Sequence, residues 1–328
     1  MKICLINNLF TPYNRGGADR IVSILKSGLE EAGHSVFVIT TKPKGEALDK
    51  SKYPDHYLDS YFSRLAQIPL FLRFFWHVYD MFDLFTAKKV KAILKAELPD
   101  LVVTHNLKGL SLLIPRAIKS LGIKHAHVLH DIQLLHPSGL MFLGQEAGIN
   151  SFLARLYSRV NRLLFASVGI VISPSSWLLT IHEKNGFFAK AKKAVIPNPV
   201  SIPTPQAKKE SGVFTFTYIG ELVAHKGVQV LLESFEKLDD RNTRLVIMGA
   251  GPLLEKLKSE NNERVEFKGF TEANLAKRII GESQCLVMPS YCYENSPTAI
   301  YDALSVATPV IASRLGGAAG APTGRRPR

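Results

Sequence analysis

Short apolar runs, each about one strand long, alternate along the whole chain with stretches of helical periodicity. That alternation leaves few folds open other than α/β with mainly parallel sheets. In the first half the expected strands are Lys2 to Asn7, Ser35 to Thr40, Leu101 to His105, Lys124 to Leu129, Gly169 to Ile172 and Ala194 to Ile196. A helix from Asp19 to Ala32 follows the first strand and is ended by Gly33 and His34. Tyr57 to Leu98 reads as helical and rich in aromatics, suited to packing beside the sheet or to presenting a surface to lipid. Pro197 and Pro199 then break the pattern, and the strand–helix alternation restarts at Thr215 to Gly220. Further strands are expected at Leu245 to Met248, Val265 to Lys268, Gln284 to Met288 and Pro309 to Ala312.

A chain of 328 residues has room for two domains that each bury a core. The expected division is a first domain at 1–198, a linker at 199–212, a second domain at 213–317 and a low-complexity basic tail at 318–328. Two doubly wound, Rossmann-like lobes facing each other are the simplest architecture, with ligands at the carboxyl ends of the strands, in the cleft between the lobes. The second lobe is short beside the first and is expected to be incomplete.

The formal net charge of +13 favours anionic partners: nucleotide phosphates, anionic lipid headgroups or nucleic acid. The basic residues are spread along the chain, and no basic helix interleaved with aromatics or nucleic-acid module accompanies them. No nucleic-acid partner is therefore expected. No secretory signal is visible, and no apolar run reaches the roughly 18 residues of a membrane span. Leu65 to Phe85 comes closest but contains Arg73, His77, Asp80 and Asp83. Cys4, Cys285 and Cys292 lack metal-ligand spacing and read as reduced thiols of a cytoplasmic protein. Peripheral contact with an anionic inner membrane face stays open.

The densest constellation of chemistry runs from Ser290 through Glu294, Thr298, Ala299 and Asp302 to Thr308, Pro309, Gly316 and Gly317. Glu294 is expected just before a helix whose free backbone N–H groups can bind an anion. Asp302 lies eight positions on, about two turns inside that helix and near the same face. Amides for a diphosphate beside carboxylates for sugar and ribose hydroxyls suit a nucleotide-sugar. The plainer reading makes Glu294 an acid favoured by the helix dipole and Asp302 a solvated helix residue.

Other motifs sit at strand ends. Gly220 to Gly227 forms a strand–loop–helix unit in which Lys226 can set its ammonium against a diphosphate and Gly227 lets the backbone come close. A Lys-Gly pair alone is commonly just a turn. Gly249 and Gly251 lack the third glycine of a dinucleotide fingerprint, Leu254 standing in its place, so a tight turn is the better reading than a dehydrogenase. Gly269 and Phe270 end another strand. In the first half, Gly16 and Gly17 lie between the first strand and helix, and His130 and Asp131 follow the strand ending at Leu129. His125 and His127, inside that strand, read as packing residues.

In order and spacing these motifs resemble the family 4 glycosyltransferases, retaining enzymes of GT-B fold, from Met1 to about Gly317. The resemblance implies an acceptor in the first lobe, a nucleotide-diphosphate sugar in the second, and no metal or other cofactor. It places Glu294 by the transferred sugar, Lys226 and the amides of Thr298 and Ala299 on the diphosphate, and Asp302 on the ribose. Gly220 falls in the donor-phosphate loop, Gly269 and Phe270 by the base, and His130 against a donor-sugar hydroxyl. Gly16 and Gly17 become an acceptor or phosphate loop, and Glu294, Lys226 and His130 the catalytic set. Three positions depart from the family: Glu221 stands where Arg usually follows the first glycine, Asp302 replaces Glu, and Ala307 replaces Gly before Thr308. Family chains also continue past the Gly-Gly pair, and this chain is expected to lack that segment.

The function expected is retaining sugar transfer to a glycan or lipid-linked acceptor, in cell-surface polysaccharide or glycolipid synthesis. The alternatives are a truncated, inactive nucleotide-sugar-binding remnant, and a sugar- or lipid-surface binder without a nucleotide.

Overall fold

The apolar runs become two separate parallel sheets. In the computed structural model, which describes residues 1–14, 16–62, 65, 69–200, 212–260 and 263–320, the chain divides into two compact units. One comprises 1–140 with 147–199, the other 141–146 with 200–328. Most of the linker (201–211) and of the basic tail (321–328) lies outside the described residues. Residues 316–320 form a short 3-10 turn.

The first unit holds seven parallel strands: β1 (Lys2–Ile6), β2 (Ser35–Pro43), β3 (His56–Ser60), β4 (Leu101–Thr104), β5 (Lys124–Val128), β6 (Ile170–Ser173) and β7 (Lys192–Val195). Their order is β3-β2-β1-β4-β5-β6-β7. Among the described residues six α-helices join them: α1 (Gly17–Glu31), α2 (Leu70–Met81), α3 (Leu84–Glu97), α4 (Ile114–Ser120), α5 (Phe152–Leu164) and α6 (Ser176–Lys184). Side chains set several helix starts. Asp83 accepts from the Phe85 and Thr86 N–H groups, Ser151 from Ala154, and Ser175 from Leu178, each satisfying donors the first turn leaves open. Ile3 and Leu5 of β1 pack with Val22 of α1, Val38 of β2 and Val103 of β4 in the core.

The second unit has five strands in the order β10-β9-β8-β11-β12: β8 (Phe214–Ile219), β9 (Thr243–Met248), β10 (Val265–Gly269), β11 (Cys285–Met288) and β12 (Val310–Ala312). Its helices are α7 (Val228–Glu236), α8 (Leu254–Ser259), α9 (Ala273–Glu282) and α10 (Thr298–Ser305). Strand β9 shows why it reads as an unbroken apolar run: Leu245 and Ile247 enter one core cluster, Val246 and Met248 another. Both faces of the sheet are covered, so both sets of alternate residues must be apolar.

Tyr57 to Leu98 departs from its helical reading. His56–Ser60 is a strand on the edge of the first sheet, and two helices follow it. The strand, His-Tyr-Leu-Asp-Ser, has no apolar run because it is half-buried. It is anchored from just outside, where Asp55 accepts from Lys26 Nζ at 2.8 Å and from the Val38 N–H at 2.8 Å.

Asp80, near the end of α2, is buried and accepts the Gly109 N–H at 2.8 Å. Burial pushes its carboxyl up to about 7 despite that hydrogen bond and the Lys108 charge. A carboxylate whose pKa is raised on folding binds more protons folded than unfolded, so stability falls as pH rises from about 4 to about 7. Asn at this position keeps an acceptor for Gly109 without the charge. Asp80→Asn should therefore melt progressively higher than wild type as pH rises through that window. Parallel melting curves for the two proteins would remove Asp80 as the source of the slope.

Candidate functional site

In the second sheet the chain runs from β8 outward to β9 and β10, then returns to place β11 on the other side of β8. Loops leaving β8 and β11 therefore diverge, and the crevice at their carboxyl ends is where ligands of such sheets bind. Lys226, from the β8–α7 loop, and Glu294, from the β11–α10 loop, meet there with Nζ and Oε1 2.6 Å apart. Ser290 Oγ donates to the same Oε1 at 2.9 Å, and Cys292 Sγ lies 3.5 Å from it. Among the described residues all these donors converge on Oε1, leaving Oε2 open. Likewise one of the three ammonium N–H groups is spent on Glu294 and two remain.

Burial alone would raise the Glu294 carboxyl, but the Lys226 charge and the hydrogen bonds outweigh it and hold it below the usual range. Burial likewise would lower Lys226, and Glu294 reverses the sign. The two charges sustain each other, so Glu294 is a carboxylate at neutral pH. It can accept a hydroxyl proton or face a developing positive charge, but it is not a general acid.

The two loops interlock. Gly227 has φ +73°, and a Cβ there would lie 2.0 Å from the Pro289 carbonyl oxygen. The Tyr291 N–H donates to the His225 carbonyl at 2.9 Å. Gly220 is packed from below, since a Cβ on Gly249 would lie 1.8 Å from its carbonyl oxygen. The glycines at 249 and 251 thus serve close packing against the Gly220–Leu222 segment, in keeping with a tight turn. Glu221 is exposed, and its charge reaches Lys226 and His225.

Two helices begin beside the crevice, α7 after Gly227 and α10 after Pro297, and no described side chain caps either. Thr298 and Ala299 are half-buried in the uncapped first turn of α10, where amide donors and the dipole favour an anion.

The expected helix boundary needs correction. Glu294 sits four residues before α10, because Pro297 holds the preceding segment out of helix. Asp302 is therefore about one turn inside the helix rather than two. It is also not solvated: it is buried and its Oδ1 lies 3.0 Å from Lys277 Nζ. Gly269 (φ +66°) ends β10 two strands away from β11's neighbour, and Phe270 beyond it is 82% exposed.

Residues 141–146 escape sequence reasoning altogether. Phe142 pairs with Cys292 in an antiparallel bridge. The Leu143 N–H donates to the Tyr291 carbonyl at 3.0 Å, and the Tyr293 N–H to the Met141 carbonyl at 2.9 Å. Tyr293 Oη donates to Glu146 at 2.8 Å, and the Phe142 ring meets His225 edge-on at 5.5 Å. This strap braces the loop that carries Glu294.

In the first sheet the corresponding switch lies between β1 and β4. Asn7 and Asn106 tie its loops together: the Asn106 N–H donates to Asn7 Oδ1 at 3.1 Å. Asp19 accepts from Asn7 Nδ2 at 3.0 Å and from the Gly16 N–H at 3.2 Å, fixing the start of α1. A Cβ on Gly16 would meet nothing within 4 Å, so the space beside it is open, and Gly17 is the first residue of α1. His130, after β5, shares a 2.9 Å hydrogen bond through Nε2 with His105 Nδ1, after β4. Burial lowers His105 well below its usual range and His130 to about 4, so both are neutral at physiological pH. A cavity beside them is lined by His77 and Asp80 of α2, Lys108, Asp131 and Tyr157 of α5. Burial raises Asp131 to about 6 against the Gln133 N–H and the Lys108 charge. His125 and His127 are buried and both meet Thr104 Oγ1, at 2.8 and 2.9 Å, as packing residues would.

A family model described as Glycosyltransferase Family 4 matches residues 15–202, and one described as Glycosyl transferases group 1 matches 213–325. An uncharacterized 42.6 kDa protein in the cps region of Klebsiella pneumoniae is 26% identical over 97% of this chain and 86% of its own length. The alpha-monoglucosyldiacylglycerol synthase of Streptococcus pneumoniae is 24% identical, over 95% of this chain and 71% of its own. Among solved structures, Anabaena HepE in complex with UDP and glucose superposes with a TM-score of 0.67 at 17% identity, over 98% of this chain and 82% of that one.

Proposed function

The chain belongs to glycosyltransferase family 4 and has the GT-B fold, and from that premise we propose that it moves a sugar from a nucleoside diphosphate to a glycan or lipid-linked glycan with retention at the anomeric carbon. The observation that carries this reading is the Lys226–Glu294 pair at the switch point of the second sheet, beside two uncapped helix starts.

The two open ammonium N–H groups of Lys226 and the amides of Thr298 and Ala299 take the diphosphate oxygens. Glu294 Oε2 accepts from a donor-sugar hydroxyl and faces the positive charge that builds at the anomeric carbon. As the bond from that carbon to the phosphate oxygen breaks, its electron pair leaves with the diphosphate. The acceptor oxygen bonds to the carbon from the same face, and its proton passes to the departing phosphate oxygen. Catalysis then rests on positioning and on donors placed where negative charge develops, and this reading requires no metal. His130, neutral, offers a hydrogen bond to a sugar hydroxyl rather than a charge. Gly220 lines the phosphate loop, Gly269 and the exposed ring of Phe270 lie toward the base, and Asp302, held by Lys277, supports the ribose. Gly16 and Gly17 leave room for the acceptor. Glu221, where the family carries Arg, leaves Lys226 as the main side-chain cation for the diphosphate.

The complex of HepE with UDP and glucose supports a nucleotide-sugar donor. The name of the streptococcal synthase, whose product is a glucosyldiacylglycerol, supports a lipid acceptor.

Thermal melts with UDP-, GDP- and ADP-sugars test the reading. One sugar nucleotide should raise the melting temperature, by the equivalent of about 2.7 kcal/mol at a hundred times its Kd, and the same donor should be consumed with acceptor. A shift without turnover would point to an inactive remnant. No shift with any donor would sink the proposal.

A further inference from the structure

Helix α5 is built the wrong way round for a helix facing water. Its buried stripe is Ala154, Ser158, Asn161 and Leu164, of which Ser158 and Asn161 are polar. Asn161 Nδ2 is spent on the Leu134 carbonyl at 3.0 Å. Its large apolar residues point outward instead: Phe152 is 80% exposed, Leu153 60%, Leu156 52% and Leu163 65%. Arg155, Arg159 and Arg162 share that outward face, and no Asp or Glu occurs anywhere from 147 to 182.

A second surface of the same character lies on α2 and the start of α3. Phe75, Tyr79, Phe82, Leu84 and Phe85 are all exposed. Lys88 and Lys89 follow, Lys89 with its ammonium 4.4 Å from the centre of the Phe85 ring. The two helices border one cavity, to which α2 contributes His77 and Asp80 and α5 contributes Tyr157.

Exposed apolar area on this scale marks an interaction surface rather than ordinary scatter. Its charge chooses the occupant. Interleaved cations with no acids on α5 match a plane of anionic phosphates lying over hydrocarbon, the pattern of helices that lie in a membrane interface. Among the described residues no helix is long and apolar enough to cross a membrane, so the contact is one of lying on the surface.

We propose that the outward faces of α5, α2 and the first turn of α3 together dock the protein on an anionic phospholipid bilayer. Phe152, Leu156, Leu163, Phe75 and Phe85 enter the boundary between headgroups and acyl chains, and the arginines and lysines meet the phosphates. The inference deepens the lipid-linked acceptor reading and rests on it for its purpose. The cavity beside His130 then lies against the membrane-bound flank, within reach of an acceptor that remains in the bilayer.

The test is co-sedimentation of the full chain with phosphatidylcholine vesicles, with and without phosphatidylglycerol. Binding should require the anionic lipid and weaken with salt. Arg155→Glu/Arg159→Glu/Arg162→Glu should lower the vesicle partition coefficient by roughly tenfold or more. Leu156→Ser/Leu163→Ser should do the same by removing apolar insertion, with thermal melts confirming that both variants fold. Wild-type protein that stays in the supernatant would overturn the proposal, as would variants that sediment like wild type. So would loss, in both variants, of a homodimer in light scattering, because the surface would then belong to a second copy of the chain. Nucleotide-sugar thermal shifts on the same proteins keep the two readings apart. Vesicle binding without any donor shift leaves the docking surface standing and removes the transferase chemistry, and the reverse result removes only the surface.

Discussion

Lys226→Ala is expected to lower kcat/KM for sugar transfer by roughly two to three orders of magnitude, the usual cost of removing a donor aimed at developing charge. Two effects combine. Under the proposed function the diphosphate would lose the main side-chain cation of its loop, because Glu221 stands at the other expected position. Glu294 also loses the partner that offsets its burial, so its carboxyl rises toward or above the usual range and its side chain is freed to swing. Breaking a fully buried pair costs about 3–5 kcal/mol. Here the side chains are 25% and 17% exposed, so solvent screening reduces the expected loss to about 1–3 kcal/mol. Glu294→Gln in the Lys226→Ala background should restore most of that stability, since no buried charge remains, without restoring transfer. Steady-state kinetics and thermal melts on the two variants check both halves. Wild-type turnover in Lys226→Ala would end the assignment of Lys226 to the diphosphate.

Gly227→Ala should be among the most damaging single methyl additions in the second unit's loops, and the one that acts directly on the Lys226–Glu294 pair. The left-handed φ of +73° costs Ala about 1–2 kcal/mol. A Cβ 2.0 Å from the Pro289 carbonyl oxygen is a clash with backbone, so no side-chain rotation relieves it. The β8–α7 and β11–α10 loops must move apart, and with them Lys226 and Glu294. The total is expected on the order of 3–5 kcal/mol, together with loss of the donor-induced thermal shift. Gly33→Ala supplies the control, because Gly33 has a φ of +83° with nothing within 4 Å. It should show the left-handed cost alone. Equal melting losses for the two variants would mean that the loops part easily and that their interlock positions nothing.

Much of the fold was legible because a parallel strand covered on both faces has to be apolar throughout, as Leu245 to Met248 are. The edge strand His56–Ser60 was not, because half-burial leaves it polar residues and only short cues. In the site, Lys226, Glu294 and Gly227 could be read from local spacing at strand ends. The place where α10 begins could not, although Pro297 carried the signal: a residue before proline resists helix, which puts Glu294 in the loop. The Lys277 partner of Asp302 and the His105 partner of His130 lie 25 residues away in each case, and a single sequence does not encode such pairings. The strap at 141–146 joins the second unit through main-chain hydrogen bonds to 291–293, which leave no mark on residue type.

That strap sets a rule for recombining relatives. A hybrid that exchanged everything after residue 212 would import the recipient's donor loops while keeping a foreign 141–146. The carbonyl of residue 291, the amide of residue 293 and the Tyr293 hydroxyl would then depend on a segment matched to another protein. The geometry of the loop that carries Glu294 is in that sense written in two places. Grafting it intact requires carrying the six residues from the first half along with the second.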